Sequence, residues 1–206
     1  MKIYDISMTI HDNMSVWDNK EAKKPKFITT VNYQTSDVYE TTICMDMHTG
    51  THIDAPLHMI KNGDKIEDYN LNQFIVKSRV LDFSHVKDKI TVDDLKTKEI
   101  NKNEFILLKT TNSNTDLFLD DFVYLDKDGA EYLVEKGVLG VGTDGMGIER
   151  DQEGFPTHIT LLNEDIIILE GLRLKHIKEG TYLLIALPLK IKNVEATPCR
   201  AVLIER

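Results

Sequence analysis

Three of the chain's seven histidines and one aspartate lie within eleven residues, from His48 to His58. Imidazole and carboxylate groups are the ligands that zinc and similar divalent cations take in proteins. A single histidine on a strand is usually structural or solvated. Here, however, His48, His52, Asp54 and His58 all occupy even positions, which point to one side of an extended chain. The segment therefore predicts a metal site.

The converging side chains exclude both a helix and a straight strand for this segment. On a helix, Asp54 would lie about 240° around the axis from His48. Gly50 and Pro56 also disfavour a helix. A straight strand would place residues 48 and 52 about 13 Å apart, which is too far for two imidazoles to reach one ion. The chain is therefore expected to bend at Gly50, which permits a tight turn.

The bend divides the segment into a turn at residues 49–51 and a second extended piece that carries His52 and Asp54. Together with His48, these side chains supply three ligands, which would leave a zinc ion open to water, as in catalytic sites. Water bound to such an ion can ionise near pH 7. Pro56 is expected to direct His58 back towards that water, where an imidazole suits general acid–base work.

Composition narrows the possible partners. A chain of 206 residues suits one domain, residues 1–206. The net charge of −9 argues against nucleic acid or an anionic membrane as a partner. No apolar run approaches the ~18 residues of a spanning helix, and the first residues lack the apolar stretch of a secretory signal, so no such signal is expected. Two cysteines, Cys44 and Cys199, form no disulfide framework, so a cytoplasmic protein is expected.

The hydrophobic pattern predicts an α/β fold class, with mixed α+β content. Stretches rich in Ile, Val and Tyr and bounded by turn residues predict strands at Lys2–Met8, Val38–Met47, Ile75–Phe83, Glu104–Thr110, Val138–Thr143, Ile166–Glu170, Tyr182–Ala186 and Arg200–Ile204. Helices are expected from an N-cap at Thr91 to about Glu99, over Asp128–Lys136 with Gly137 as C-cap, and in a short segment that Thr157 could cap.

The pattern His-x-Gly-Thr-His-x-Asp-x-Pro-x-His resembles the signature of the metal-dependent cyclase family, which includes bacterial kynurenine formamidase and isatin hydrolase. The resemblance covers most of the chain, through further stretches similar to family blocks at Gly142–Gly145, His158, Glu170–Leu172, Ala186–Lys190 and Pro198–Ala201. It implies a swivelling β/β/α domain, a single compact domain. It also implies a homo-oligomer, dimer or tetramer, with sites near subunit contacts.

The resemblance also implies a role for each site residue. A first metal ion would bind His48, His52 and Asp54, and a second would bind Asp54, His158 and Glu170, with Asp54 bridging. His58 would be the catalytic acid and base. Zinc is the expected ion, and manganese suits the more oxygen-rich second position. Glu170 ends an apolar run, where an unpaired carboxylate is costly to bury; alternatively, it is the first exposed residue after a strand.

The implied activity is a metal-dependent hydrolase that cleaves an amide through a metal-bound hydroxide. The substrate would be an N-formyl aryl amine such as N-formylkynurenine, from tryptophan catabolism, or a cyclic amide. Trp17 matches an aromatic that stacks on substrate in formamidases; alternatively, it packs in the core or at an interface. However, Ser15–Lys20 lacks the proline and glycine of the family's Trp-Pro-Gly-Asp, which weakens the aryl-formyl assignment.

Two alternatives remain open at this point. One is a lactone or isatin-type ring hydrolase, and the other is a non-catalytic metal- or ligand-binding protein on the same scaffold. His58 favours an enzyme, because a pure binder has no need of a fourth, unliganded histidine.

Overall fold

Strands interleave with helices along residues 1–205, the part of the chain that the computed structural model describes. The strands are β1 (Lys2–Asp5), β2 (Lys26–Val31), β3 (Glu40–Cys44), β4 (His52–Asp54), β5 (Ile75–Asp82), β6 (Lys89–Ile90), β7 (Phe105–Lys109), β8 (Tyr124–Leu125), β9 (Gly140–Thr143), β10 (Ile167–Glu170), β11 (Gly180–Pro188) and β12 (Ala196–Glu205). The α-helices are α1 (Val92–Lys96), α2 (Lys127–Lys136) and α3 (Pro156–Asn163).

The main sheet closes on itself. Its strands run in the order β1-β12-β11-β5-β7-β9-β10-β4, and β4 pairs in turn with β12. The pairs β5–β7, β7–β9 and β9–β10 are parallel, and the other neighbours are antiparallel. Closure pairs the second edge of β4, which an open sheet would leave exposed, and β1 stays at an edge beside β12. The result is a barrel-like sheet in a mixed α/β fold, and the predicted fold class is confirmed.

The parallel strands dictate where the helices lie. Parallel neighbours need crossover connections, and α1, α2 and α3 lie in the connections β5–β7, β7–β9 and β9–β10. Strand residues alternate between two cores. One core lies inside the sheet and includes Phe105, Leu107, Ile167 and Leu169, and the other lies under the helices and includes Ile106, Leu108, Ile168, Leu133 and Leu161. Within residues 1–205, no helix has the length and apolar character needed to cross a bilayer.

Local capping rules explain the first two helices. The Thr91 hydroxyl accepts the Asp94 backbone N–H, and the Asp94 carboxylate accepts the Thr91 N–H, which confirms the predicted capping box. This helix ends at Lys96, shorter than predicted. In the second helix the Asp126 carboxylate is the N-cap and Gly137, at φ 66°, is the predicted C-cap.

The predicted cap of the third helix is wrong. Helix α3 begins at Pro156, with Phe155 as its N-cap. Proline is favoured in the first turn of a helix because it has no N–H to satisfy there. Thr157 therefore lies inside the helix, and its hydroxyl donates to the carbonyl of Leu125 instead. Strand β2 was not predicted, and β2 and β3 form a separate two-stranded ribbon.

An ion-pair network joins the start of β7 to β5. Arg79 donates to both carboxylate oxygens of Glu104, at 2.7 and 3.0 Å, and Lys77 Nζ lies 2.6 Å from the same carboxylate. Burial alone would raise the pKa of Glu104, but hydrogen bonds from Arg79 and Lys77 lower it to about 2. The ionised carboxylate therefore stabilises the folded chain.

We expect Glu104→Gln to lower the free energy of unfolding at pH 7 by about 1–3 kcal/mol, because a charge-assisted bidentate contact is lost. The folded-state pKa lies below the ordinary value of 4.5, so this stabilisation is present above pH 4.5 and is lost as the pH falls towards about 2. Urea unfolding at pH 7 and pH 3 measures the difference in the free energy of unfolding between the wild type and E104Q, which should be smaller at pH 3. Glu99→Gln is the control, because the Glu99 side chain, in contact with Arg79, is 71% exposed. An E104Q effect that does not change with pH would contradict this account.

Candidate metal centre

Strand pairing brings distant residues of the centre together. In the antiparallel pair β4–β10, His52 lies opposite Glu170, and Asp54 lies opposite Ile168. Ile53, between the two site residues, packs in the core inside the sheet, whereas Ile168 packs in the core under the helices. Since side chains alternate along a strand, His52, Asp54 and Glu170 share the outer face of the sheet. All three are buried there.

The turn before β4 bends as predicted. The Asp46 carboxylate accepts the His48 backbone N–H at 2.9 Å, and the Asp46 carbonyl accepts the Thr49 N–H at 3.2 Å. Gly50 then takes a left-handed conformation at φ 67°, which favours glycine. The turn brings the ring centroids of His48 and His52 within 4.9 Å of each other. The extended segment before it ends at Cys44, earlier than the predicted Met47.

Helix α3 supplies the remaining predicted ligand. Its first turn places His158 Nε2 at 3.4 Å from Glu170 Oε1 and 3.9 Å from Asp54 Oδ2. His158 is buried like its two acidic neighbours. The structure thus gathers all five residues that the sequence suggested as metal ligands, together with His58.

Asp54 lies at the centre of the cluster. Its Oδ1 is 3.1 Å from His48 Nδ1 and 3.5 Å from His52 Nε2, and His52 Nε2 is 3.3 Å from Glu170 Oε2. The donor atoms fall into two groups that share Asp54: one with His52 and Glu170, and one with His48 and His58. The second group includes His58, which was predicted to transfer protons and not to bind metal. The division of ligands between two ions therefore stays a prediction.

Unsatisfied polar atoms show that the cluster fits a cation. Among the described residues, His52 Nε2 and both carboxylate oxygens of Asp54 are buried without a hydrogen-bond partner. The 3.1 Å approach of His48 to Asp54 lacks hydrogen-bond geometry. Buried polar atoms are normally paired, and an unpaired carboxylate is especially costly. Converging imidazole and carboxylate donors of this kind match the ligand chemistry of zinc and related divalent ions.

The buried carboxylates of Asp54 and Glu170 favour positive charge on the groups beside them. Burial and the nearby Glu170 would raise the pKa of Asp54, but His48 and His52 lower it below its ordinary value. Burial would lower the pKa of His52, yet Glu170 and Asp54 raise it to about 9. Burial would likewise lower the pKa of His158, but Glu149 and Glu170 raise it to about 10. The field at the centre of the cluster therefore favours a cation.

His58 differs electrostatically from the other imidazoles. It ends the short Pro56–His58 turn, half-buried, with its ring centroid 4.3 Å from that of His48 and 5.7 Å from that of His158. Burial, together with the charges of these two neighbours, lowers the pKa of His58. Its neutral form is therefore favoured near pH 7, and a neutral imidazole can accept a proton.

A cavity of about 600 Å³ opens directly onto this cluster. His48, His58, His158 and Glu170 form part of its lining, and Trp17 lies on the wall. The indole packs edge-on against two other lining residues, with its ring centroid 5.3 Å from that of Phe118 and 5.8 Å from that of Phe122. Its ring also lies so close to Gly147 that a Cβ there would approach within 2.7 Å. Trp17 thus belongs to an aromatic wall of the cavity.

Sequence reasoning missed several residues of the site. Glu149 Oε1 lies 2.6 Å from His158 Nδ1, and Glu195 Oε1 lies 3.6 Å from His48 Nε2. Neither carboxylate stands at a spacing that relates it to a histidine along the chain. Phe118 and Phe122 pack beside Trp17 in the aromatic wall, and their loop has no periodic signal that would place it there. Only the folded chain shows these contacts.

Comparisons with known proteins agree with the geometry. The family model described as "Putative cyclase" matches residues 4–150. Kynurenine formamidase of Salinibacter ruber is 34% identical over 98% of this chain and 97% of its own length, and that of Geobacillus thermodenitrificans is 35% identical over 97% and 95%. A solved structure described as a predicted metal-dependent hydrolase from Bacillus stearothermophilus is 45% identical, with a TM-score of 0.91 over 100% of this chain and 98% of its own. Isatin hydrolase A from Ralstonia solanacearum is 21% identical and shares the fold, with a TM-score of 0.87 over 99% of this chain and 92% of its own.

Asp54→Asn should greatly reduce bound metal, because the central carboxylate faces both groups of donor atoms. Metal per chain, measured by inductively coupled plasma mass spectrometry after zinc loading and desalting, is the readout. Asp46→Asn is the control, because that carboxylate accepts the His48 N–H and its backbone supports the turn without facing the cluster. Unchanged metal content in D54N would rule out the central role of Asp54.

Proposed function

The chain belongs to the cyclase family, and from this premise we propose that it is a metal-dependent hydrolase that cleaves an amide bond. The family resemblance predicted from the histidine motif is confirmed. One observation carries the proposal: a buried Asp54 carboxylate without a hydrogen-bond partner lies among imidazoles, three of which, His48, His58 and His158, line an aromatic-walled cavity. Within this proposal residues 1–206 act as one catalytic domain.

We assign His48, His52 and Asp54 to one divalent ion and Asp54, His158 and Glu170 to a second. The contacts of Asp54 with His48 at 3.1 Å and His52 at 3.5 Å, and of Glu170 with His158 at 3.4 Å, support this division, whereas the 3.3 Å contact of His52 with Glu170 crosses it. Zinc suits the first set, and manganese is a candidate for the second, which has two carboxylates. When bound, such an ion lowers the pKa of water and polarises a carbonyl group.

His58 is assigned the proton transfers. Its neutral imidazole faces the cavity beside the cluster, where it can take the proton of the attacking water and return it to the leaving nitrogen. An N-formyl aryl amine would then give formate and the free amine. His52 and His158 are buried against carboxylates and His48 lies against Asp54, which leaves His58 as the residue suited to exchange protons with a substrate.

We propose an aromatic formamide of the N-formylkynurenine type as the substrate, which would place the enzyme in tryptophan catabolism. Trp17, Phe118 and Phe122 give the cavity a wall against which a flat ring can pack. The relatives named kynurenine formamidase support the same class. Residues 15–20, which lack the family's proline and glycine, still deliver Trp17 to the cavity.

We further propose a homo-oligomer, a dimer or tetramer, that works in the cytoplasm. Strands β2 and β3 form a ribbon of their own, and nearly all of its residues are exposed. It carries the exposed apolar side chains of Phe27, Ile28 and Ile43, and those of Val38 and Tyr39 lie just before β3. A two-stranded ribbon is marginally stable alone, and such a patch is typical of a protein interface. Cys44 and Cys199 are free, in keeping with a reducing compartment.

Charges on the ribbon should dissociate the oligomer. Phe27 and Ile43 face each other across the two strands. The double substitution Phe27→Asp with Ile43→Asp should therefore shift the mass measured by light scattering from a multiple of 23.6 kDa to that of one chain. Gln34→Asp, at the exposed end of the ribbon, adds charge without removing an apolar contact and should leave the mass unchanged. A wild-type protein of one-chain mass would refute the oligomer.

Purified protein should hydrolyse N-formyl anilides, and a chelator should abolish the activity. His58→Ala should lower kcat by about 10²–10⁴ while bound zinc is unchanged, because the residue transfers protons without being needed as a ligand. His176→Ala, an exposed histidine on the loop before β11, is the control. Near-normal turnover of H58A with its metal retained would remove His58 from the reaction. Chelator-sensitive activity on isatin or lactones alone would favour a ring hydrolase, and no activity would favour a binding protein.

A further inference from the structure

Glu149 is a buried carboxylate to which the reaction above gives no role. It lies on the loop between β9 and α3, and its side chain is 1% exposed. Oε1 accepts the backbone N–H of His158 at 2.7 Å and lies 2.6 Å from the Nδ1 of the same residue. Two contacts to a single oxygen fix both the backbone and the ring of His158. Because water does not screen this carboxylate, its bond to the imidazole is of the strong, charge-assisted kind.

The other oxygen of Glu149 binds the start of α3. Oε2 accepts the backbone N–H of Thr157 at 3.2 Å and the side-chain amide of Gln152 at 2.6 Å. Gln152 also donates to the Thr157 hydroxyl at 2.7 Å. Both oxygens therefore support the first turn of the helix, but only Oε1 contacts the His158 ring. A variant that perturbs Oε2 alone is therefore a control for the support of the helix.

The contact determines which ring nitrogen faces the cluster. With Nδ1–H donating to Glu149, Nε2 is the nitrogen that faces Asp54 and Glu170, and it would offer its lone pair to a cation held there in place of the proton that these carboxylates otherwise favour. Across residues 1–205, the other two imidazoles assigned as ligands, His52 and His48, lack an outer carboxylate within hydrogen-bond distance. His52 Nδ1 lies 2.9 Å from the Gly50 carbonyl, and His48 Nε2 lies 3.6 Å from Glu195, whose side chain is 39% exposed. Of the two carboxylates, Glu149 makes the shorter contact and is the more buried.

We propose that Glu149 is a positioning residue that holds His158 for a divalent cation at the Asp54–His158–Glu170 position. The inference rests on the metal centre proposed above. An outer carboxylate orients a ligand imidazole and raises its basicity, and its loss commonly costs about 10–100-fold in metal affinity. A glutamine in its place removes the charge. Its amide can also donate to Nδ1, which turns an Nε2–H towards the cluster in place of the lone pair.

Zinc titration in competition with a chromophoric chelator tests the proposal on three proteins: wild type, Glu149→Gln and Gln152→Ala. We expect E149Q to bind zinc about 10–100-fold more weakly at one position, with any second zinc retained at wild-type affinity. Q152A removes the donor to Oε2 without touching His158 and should bind zinc as the wild type does. Thermal unfolding of the three metal-free proteins separately measures how much Glu149 and Gln152 stabilise the fold through their bonds to the start of α3.

Glu149→Asp provides a second variant, should E149Q fail to fold. It keeps a charge at the start of α3 but withdraws the carboxylate from Nδ1 by one methylene, so weaker zinc binding is expected again. Wild-type zinc affinity in the folded Glu149 variants would overturn the proposal, as would an equal loss in Q152A. Wild-type protein that binds no zinc would overturn the metal centre itself, and this inference with it. The two failures are therefore distinguishable.

Discussion

The rest of this site depends on two carboxylates that are buried side by side, those of Asp54 and Glu170. Each raises the free-energy cost of ionising the other, and water is excluded from both. His52 and His158 lie against them and take up positive character, with pKa values raised to about 9 and about 10. Yet both Asp54 oxygens still lack hydrogen-bond partners within residues 1–205. A divalent cation coordinated by these groups satisfies the charge and the orphaned atoms together.

The closed sheet makes this costly arrangement possible. Strand β4 is only three residues long, but β10 and β12 pair with it on either side. This pairing fixes the register that sets His52 opposite Glu170. The parallel order of β9 and β10 requires a crossover, and that crossover contains α3 and His158. Burial in the two cores thus supplies the rigidity with which the polar groups are held close together.

The parts of the site that depend on local chemistry could be predicted from the sequence. Side-chain parity and the conformational freedom of Gly50 were enough to predict the bent segment from His48 to Asp54. The places of His158 and Glu170 came from family resemblance alone, because their contacts depend on a strand pairing more than a hundred residues apart. The cap of α3 was predicted wrongly, since the short-range preference of threonine did not account for a proline at the first helical position. Glu149 left no signal, because its role exists only where its loop folds back on that helix.

Anomalous diffraction from crystals soaked in zinc, recorded at the zinc absorption edge, tests the central claim most directly. The account predicts an anomalous peak within about 2.2 Å of an Asp54 carboxylate oxygen and within similar reach of the neighbouring imidazoles. Full-occupancy zinc elsewhere on the protein, with no peak beside Asp54 and with the histidines turned away from that carboxylate, would contradict it.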